Sequence, residues 1–242
     1  MKILEVCVDS VESAIQAKKG GATRLELCSN IIIGGTTPSL YLFEAVVAVC
    51  NLPIHILIRP RYGDFCYDDS EFLIMLKEIQ AFKQAGAAGV AIGALTPLGS
   101  LHMQYMEKLC EMAGDMSITL HRAFDMCSDP IDSLNKAAEL NIDTILTSGR
   151  QNRCSYGIRL IKKLVKLDKV EIMVGGGVTP DVVRKMRANA GVTSFHLTGK
   201  KLVDSKMKYR NPKVNMGLPS INEYDRWITC AETISEVKQM MF

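Results

Sequence analysis

Short β-rich runs alternate with longer helical patterns along the chain, and this alternation constrains the fold more than any other feature. Eight runs have the length and composition of strands: residues 3–8, 24–27, 54–59, 89–92, 117–121, 144–147, 171–174 and 194–197. Helical patterns follow most of them: residues 10–19, 70–85, 101–113, 129–140, 156–166, 180–189 and 221–240. Such alternation predicts parallel strands joined by helical crossovers.

The number of units favours a closed barrel. Eight strand–helix units in 242 residues fit a single-domain (β/α)8 TIM barrel spanning residues 1–242, since such barrels commonly have about 250 residues. A doubly wound open sheet is the alternative, with fewer units or a glycine-rich dinucleotide-binding turn after the first strand. The first strand instead continues into VCVDSVES, which contains no glycine.

One connection is unusually long. Residues 199–220 read GKKLVDSKMKYRNPKVNMGLPS and carry several lysines and an arginine. Loops of this length inside compact domains are usually functional or disordered. We therefore expect a long basic loop over the mouth of the barrel.

Composition excludes several classes of protein. The formal net charge is only +3, which argues against a broad nucleic-acid-binding surface. No apolar run is long enough to cross a membrane, and Glu5 and Asp9 interrupt any secretory signal. The eight cysteines form no CxxC pair, which is typical of free thiols in a reducing compartment. We expect a cytoplasmic protein without membrane or nucleic-acid partners. A homodimer is an open alternative.

Polar side chains share one face of several predicted strands. Because side chains alternate with period two, Glu5 and Cys7 share a face of the first strand, and Arg24, Glu26 and Cys28 share a face of the second. The third and fifth strands, and the residues directly after the third, also carry polar residues that share one face by the same rule. They are His55, Arg59 and Arg61, and Thr119 and His121. The opposite faces are aliphatic and suit contacts with helices, so the polar set is predicted to point into the barrel.

This polar set predicts a functional site. Active sites of this fold lie at the carboxyl ends of the strands. We therefore expect Glu5, Glu26, Arg59, Arg61 and His121 to converge at one mouth. A purely structural layer of salt bridges inside the barrel is the alternative.

Three loop motifs add candidate residues. In RPRYGDF, Arg59 and Arg61 could clamp a carboxylate or phosphate, or the motif is a structural turn with surface arginines. HRAFD provides His121 with Asp125 as a candidate acid–base pair; a hydrogen-bonded core histidine is the alternative. Backbone amides after the seventh and eighth strands could bind an anion, unless they form only tight turns. The residues concerned are Gly175, Gly176, Gly177, Gly199 and Lys200.

The motifs EVCVDSVESA, GGATRLELCS, GGTTPS, IRPRYGDFCY, HRAFD, LTSG and GGGV, followed by FH in the eighth strand, resemble those of the CutC copper-homeostasis family. The resemblance covers nearly the whole chain. It implies a (β/α)8 barrel and a copper-linked role in the cytoplasm. It also implies that Cys7 and Cys28 bind Cu(I), and soft thiolates do select this ion. Two small buried cysteines and a disulfide are the alternatives.

Two functions follow from these observations. The resemblance predicts a CutC-like protein that binds Cu(I) at the barrel mouth through cysteines. The inventory of carboxylates, arginines and histidine instead favours an enzyme that acts on a small anionic or phosphorylated metabolite by acid–base chemistry. The expected partner is accordingly a copper ion or a small anionic metabolite.

Overall fold

Eight parallel strands close into a barrel in chain order. The computed structural model describes residues 2–218 and 221–241. The barrel strands are β1 (Leu4–Val8), β2 (Arg24–Leu27), β3 (Ile54–Leu57), β4 (Gly89–Ile92), β5 (Ser117–Leu120), β6 (Thr144–Thr147), β7 (Glu171–Val174) and β8 (Ser194–Leu197). The predicted (β/α)8 architecture is confirmed. The third and fifth strands end earlier than predicted, at Leu57 and Leu120.

Helices surround the barrel. They are α1 (Val11–Gly20), α2 (Leu40–Val47), α3 (Asp69–Gln84), α4 (Met103–Ala113), α5 (Pro130–Glu139), α6 (Ile158–Leu167), α7 (Pro180–Ala190) and α8 (Ala231–Met241). Several begin at side-chain caps that the sequence provides. Ser10 accepts a hydrogen bond from the backbone of Ser13, and Asp68 forms a capping box with Glu71. These caps satisfy amide groups that a helix leaves without internal partners.

Helix α2 was not predicted, and the last helix begins later than its predicted start. Helix α2 is only eight residues long, and it is capped by Ser39, whose side chain accepts from the backbone of Leu42. The last helix was predicted over 221–240 but begins at Ala231, because Asp225–Thr229 forms a strand, β10. A short segment of this kind becomes a strand only when a partner strand is available, and the partner is distant in sequence.

That partner lies within the predicted basic loop. Lys200–Asp204 forms strand β9, which pairs antiparallel with β10. The Nζ atom of Lys200 lies 4.9 Å from the ring centroid of Trp227 on β10. Pro219 and Ser220, the last two residues of the predicted loop, lie outside the described residues. Within the described residues, no helix combines the length and the apolar character that a bilayer-crossing segment needs.

The two faces of the barrel strands differ in chemistry, as parity predicts. Leu25, Ile56 and Ile92 are fully buried in an aliphatic core that includes Met75 and Leu109 of the surrounding helices. The inward face of β1 and β2 instead carries buried charged groups. The aliphatic layer therefore stabilises the barrel, while the interior holds the polar groups.

Helix α8 packs against α1 at Gly20, and this contact leaves no room for a side chain. A Cβ atom on Gly20 would lie 2.5 Å from Ile234 Cβ and 2.6 Å from the backbone oxygen of Ala231. We expect Gly20→Ala to lower the free energy of unfolding by about 1–3 kcal/mol, the usual cost of overpacking. Urea denaturation measures this change. Gly217→Ala is the control, since nothing lies within 4 Å of its Cβ position. Equal stability of both variants would contradict the tight α1–α8 contact.

Candidate functional site

The register of three adjacent strands brings charged side chains together inside the barrel. Glu5 on β1 is paired with Arg24 on β2 and with His196 on β8. One pleat further along β1, Cys7 is paired with Glu26 on β2. Since alternate residues face the same side of a strand, these groups form two successive layers of the interior.

Glu5 is the centre of the deeper layer. It is 1% exposed, and its carboxylate lies 2.6 Å from Arg24 Nε and 2.7 Å from His196 Nδ1. Burial opposes ionisation of Glu5, but the hydrogen bond with His196 and the charge of Arg24 outweigh it and lower its pKa to about 2. An ionised carboxylate only accepts hydrogen bonds, so Nδ1 of His196 is the donor.

The layer nearer the mouth contains sulfur as well as charge. Cys7 Sγ lies 3.5 Å from Cys28 Sγ, and both thiols are free. One potential ligand atom from each of Cys7, Glu26 and His196 lies within 4.8 Å of the other two. His196 Nε2 lies 3.8 Å from Glu26 Oε2. Within the described residues, Cys7, Glu26 and His196 are the one group of three such donors close enough together to hold a metal ion.

Burial and neighbouring groups shift the pKa values of three side chains in this layer upwards. The hydrogen bond with Cys28, together with burial, raises the pKa of Cys7 well above its ordinary value. Burial raises the pKa of Glu26. Burial favours neutral His196, but the carboxylates of Glu26 and Glu5 outweigh this and raise its pKa.

A cavity of about 420 Å³ opens above this layer. Four of the strand residues predicted for the site line it: Cys7, Glu26, Arg59 and His121. Four of the predicted loop residues also line it: Gly176, Gly177, Gly199 and Lys200. Arg122, which the sequence analysis did not select, adds a further cation to the wall.

Arg59 and His121 form one side of the cavity. Arg59 donates to the backbone oxygens of Gly35 and Gly63, at 3.0 and 2.7 Å, and its guanidinium lies over the Phe65 ring. His121 Nδ1 accepts from the backbone of Ala123, so the neutral ring carries its hydrogen on Nε2. Arg59 Nε and His121 Nε2 are both buried and have no hydrogen-bond partner among the described residues.

The other predicted site residues lie away from the cavity surface. Arg61 is bonded through Nε to Glu71 at 2.5 Å and through Nη2 to Asp64 at 3.0 Å, and it does not line the cavity. Glu5 lies below the surface layer, and Cys28 is fully buried behind Cys7. Gly175 packs closely, since a Cβ atom there would lie 2.8 Å from Leu146.

Asp125 holds a loop in place rather than facing the cavity. Its carboxylate accepts from Thr147 Oγ1 at 2.5 Å, from Arg122 Nε at 2.7 Å and from the backbone of Ser148 and Arg150. Arg122 also donates to Ser148 Oγ at 2.8 Å. Asp125 therefore orients Arg122 towards the loop after β7, where a Cβ atom on Gly176 would lie 3.9 Å from the guanidinium carbon.

His196 and Arg122 are the site residues that sequence reasoning missed. His196 shares its strand face with Ser194, and the period-two rule applied to β8 would have placed it inside the barrel. Arg122 belongs to a short 3-10 helix that follows β5. Strand parity ends at that point, so no local pattern indicates the direction of the Arg122 side chain.

Comparison with known proteins supports the resemblance seen in the motifs. A sequence model of the CutC family matches residues 2–201. The chain belongs to the CutC family. A human relative, named copper homeostasis protein cutC homolog, is 40% identical over 230 residues, which cover 94% of this chain and 84% of the relative. A CutC family protein from Histophilus somni is 38% identical over 239 residues, with 98% of each chain covered.

Solved structures agree with the family and with the fold. The CutC crystal structure from Streptococcus agalactiae has a TM-score of 0.77 and 31% identity, and the match covers 82% of this chain and 99% of that one. Phosphoribosyl anthranilate isomerase from Thermococcus kodakaraensis has a TM-score of 0.55 at 14% identity, covering 99% and 98% of the two chains. The second likeness shows only that this CutC chain shares the barrel fold.

The buried histidine of the cavity wall makes stability depend on pH. Burial, with the charge of Arg59, lowers the pKa of His121 from 6.5 to about 3. Between these values the unfolded chain binds a proton that the folded chain does not, so stability falls as pH decreases below 6.5. The variant His121→Asn removes this titrating group but keeps an acceptor for Ala123. Between about pH 6.5 and 5, its free energy of unfolding should therefore fall by up to about 2 kcal/mol less than that of the wild-type chain.

Urea denaturation at several pH values measures this difference, and the other histidines contribute equally to both proteins. His102→Asn is the matched control, because His102 Nδ1 accepts from the backbone of Tyr105 in the same capping role away from the cavity. An unchanged pH dependence in His121→Asn would show that His121 is not buried in its neutral form.

Proposed function

We propose that this CutC protein binds Cu(I) through Cys7 and Cys28 at the base of the cavity. The observation that carries the proposal is the distance of 3.5 Å between two free sulfurs, one on β1 and one directly after β2. Thiolates are soft ligands that select Cu(I) over harder ions. The name of the human relative, which contains copper homeostasis, supports the same role.

The surroundings of the two sulfurs suit a soft ion. Leu57 and Ala91 form a buried apolar cluster with the two cysteines, and Ile31 packs against it. Cys7 lines the cavity, whereas Cys28 is fully buried. A copper ion would therefore reach the pair from the cavity, at the Cys7 side. A carboxylate oxygen of Glu26 lies within 4.8 Å of the Cys7 sulfur, close enough to accept the thiol proton when the thiolate forms.

We propose that the protein acts in the cytoplasm. All eight cysteines are free, including the two whose sulfurs lie close together. A reducing compartment keeps such a pair in the thiol form that Cu(I) binding requires.

Replacement of both sulfurs tests the Cu(I) site. In anaerobic competition with a coloured Cu(I) chelator, we expect the wild-type chain to retain Cu(I) and the variant Cys7→Ser/Cys28→Ser to retain none, because hydroxyl groups are hard, weak ligands for this ion. The control is Cys50→Ser/Cys127→Ser, which removes two buried free cysteines that do not line the cavity. Equal Cu(I) retention by the two double variants would refute the proposal.

The cations around the cavity favour a second candidate function, an enzyme that acts on a small anionic metabolite. Arg59, Arg122 and Lys200 line the cavity together with Gly176 and Gly177. These two glycines have φ angles of 89° and 79°, which other residues rarely adopt, and they carry no Cβ atom beside their amides. Barrels of this fold often bind phosphate at the loops after the seventh and eighth strands. In this function, Glu26 and His196 would transfer protons at the base of the cavity.

Binding of inorganic phosphate tests the second function. We expect Arg122→Gln and Lys200→Gln each to weaken phosphate binding about tenfold, the effect of losing a charged hydrogen bond of about 1.5 kcal/mol. Isothermal titration calorimetry measures the dissociation constants. Lys206→Gln removes the same charge from an exposed position outside the cavity and is the control. A similar effect of all three substitutions would indicate unspecific attraction and contradict an anion site.

A further inference from the structure

Cys7, Glu26 and His196 form a second potential metal site that does not include Cys28. They come from three adjacent strands, β1, β2 and β8, and all three line the cavity. One ligand atom of each lies within 4.8 Å of the other two, so a single ion could contact all three after small side-chain rotations. We call these residues the Cys7–Glu26–His196 cluster.

The donor atoms of this cluster differ from those of the cysteine pair. Sulfur, carboxylate oxygen and imidazole nitrogen form a mixed set, which suits a borderline divalent ion such as Zn²⁺ better than Cu(I). Catalytic zinc sites commonly have three protein ligands of these types and leave one position open. The cluster offers three ligands, and the cavity of about 420 Å³ lies beside them.

A second, independent observation is the pair of hydrogen bonds that orients the His196 ring. Its Nδ1 donates to Glu5 at 2.7 Å, and Glu5 is in turn held by Arg24 Nε at 2.6 Å. Metal-binding histidines typically donate their other ring nitrogen to a carboxylate in this way, which fixes the tautomer and the ring orientation. The ring therefore presents Nε2 on the side of Glu26, at 3.8 Å.

The charges are also balanced for a divalent ion. Glu5 and Arg24 neutralise each other in the deeper layer. A Cys7 thiolate and an ionised Glu26 together carry two negative charges, while His196 contributes a neutral nitrogen. Because uncompensated charge inside a protein is costly, a divalent cation completes this cluster and a monovalent ion leaves it negative.

We propose that the Cys7–Glu26–His196 cluster binds Zn²⁺ or a similar divalent ion, with Glu5 as the positioning residue for His196. The remaining coordination position faces the cavity and takes water or a small anionic ligand, which Arg59, Arg122 and Lys200 attract. This site is separate from the Cu(I) pair of the proposed function, although the two share Cys7.

Cobalt(II) is the probe, since it replaces Zn²⁺ and gives visible absorption. Titration of the metal-free, reduced full chain should yield a thiolate-to-cobalt charge-transfer band that Cys7→Ser abolishes. We expect His196→Gln and Glu26→Gln each to raise the dissociation constant at least about tenfold, and Glu5→Gln to raise it about 10–100-fold, as for other groups that position a ligand. Cys28→Ser should leave the cobalt affinity within about twofold, because Cys28 is not a ligand.

The same variants separate this proposal from the Cu(I) site. Cys28→Ser should abolish Cu(I) retention but preserve cobalt binding. His196→Gln should preserve Cu(I) retention and weaken cobalt binding at least about tenfold. Loss of cobalt binding in Cys28→Ser, or unchanged binding in His196→Gln, overturns the mixed-ligand site. Circular dichroism checks that each variant is folded. If a variant does not fold, the wild-type chain still decides, because absence of the thiolate-to-cobalt band refutes the proposal without any substitution.

Discussion

The buried contacts of Glu5 with Arg24 and His196 are the interaction on which the candidate site depends. A carboxylate that is 1% exposed is tolerated only because a guanidinium and an imidazole satisfy both of its oxygens. These contacts require the register of β8, β1 and β2 that the structure shows, since each partner lies on a neighbouring strand. The barrel geometry and the charge network therefore stabilise each other.

This network also determines what the layer above it can do. With one side of His196 held by Glu5, its other nitrogen faces Glu26 and Cys7 rather than the aliphatic interior. Cys7 then has two sets of potential partners, the sulfur of Cys28 on one side and the oxygen and nitrogen donors on the other. A soft monovalent ion and a borderline divalent ion would thus compete for one thiolate, and the occupancy of the site would depend on the available metal.

Much of the fold and part of the site could be predicted from the sequence. The apolar face of each strand and the glycine-rich turns specified the barrel, and parity placed Glu26 and Cys7 inside it. Arg61 was grouped with Arg59 by the same parity, but the strand ends at Leu57, so the alternation no longer applies there. Arg61 instead bonds to Glu71 on α3. Parity is a local rule, and it is valid only as long as the strand is regular.

The sequence by itself determined the alternation of elements, the family and the face on which each strand residue lies, because these follow from local periodicity and from motifs. Only the tertiary structure decided which strands are neighbours across the closure of the barrel. That closure brings His196, near the end of the chain, to Glu5 near its start, at a distance of 2.7 Å. Contacts between residues so far apart in sequence depend on the register of β8 against β1, and the alternation within either strand leaves shifts of two residues open.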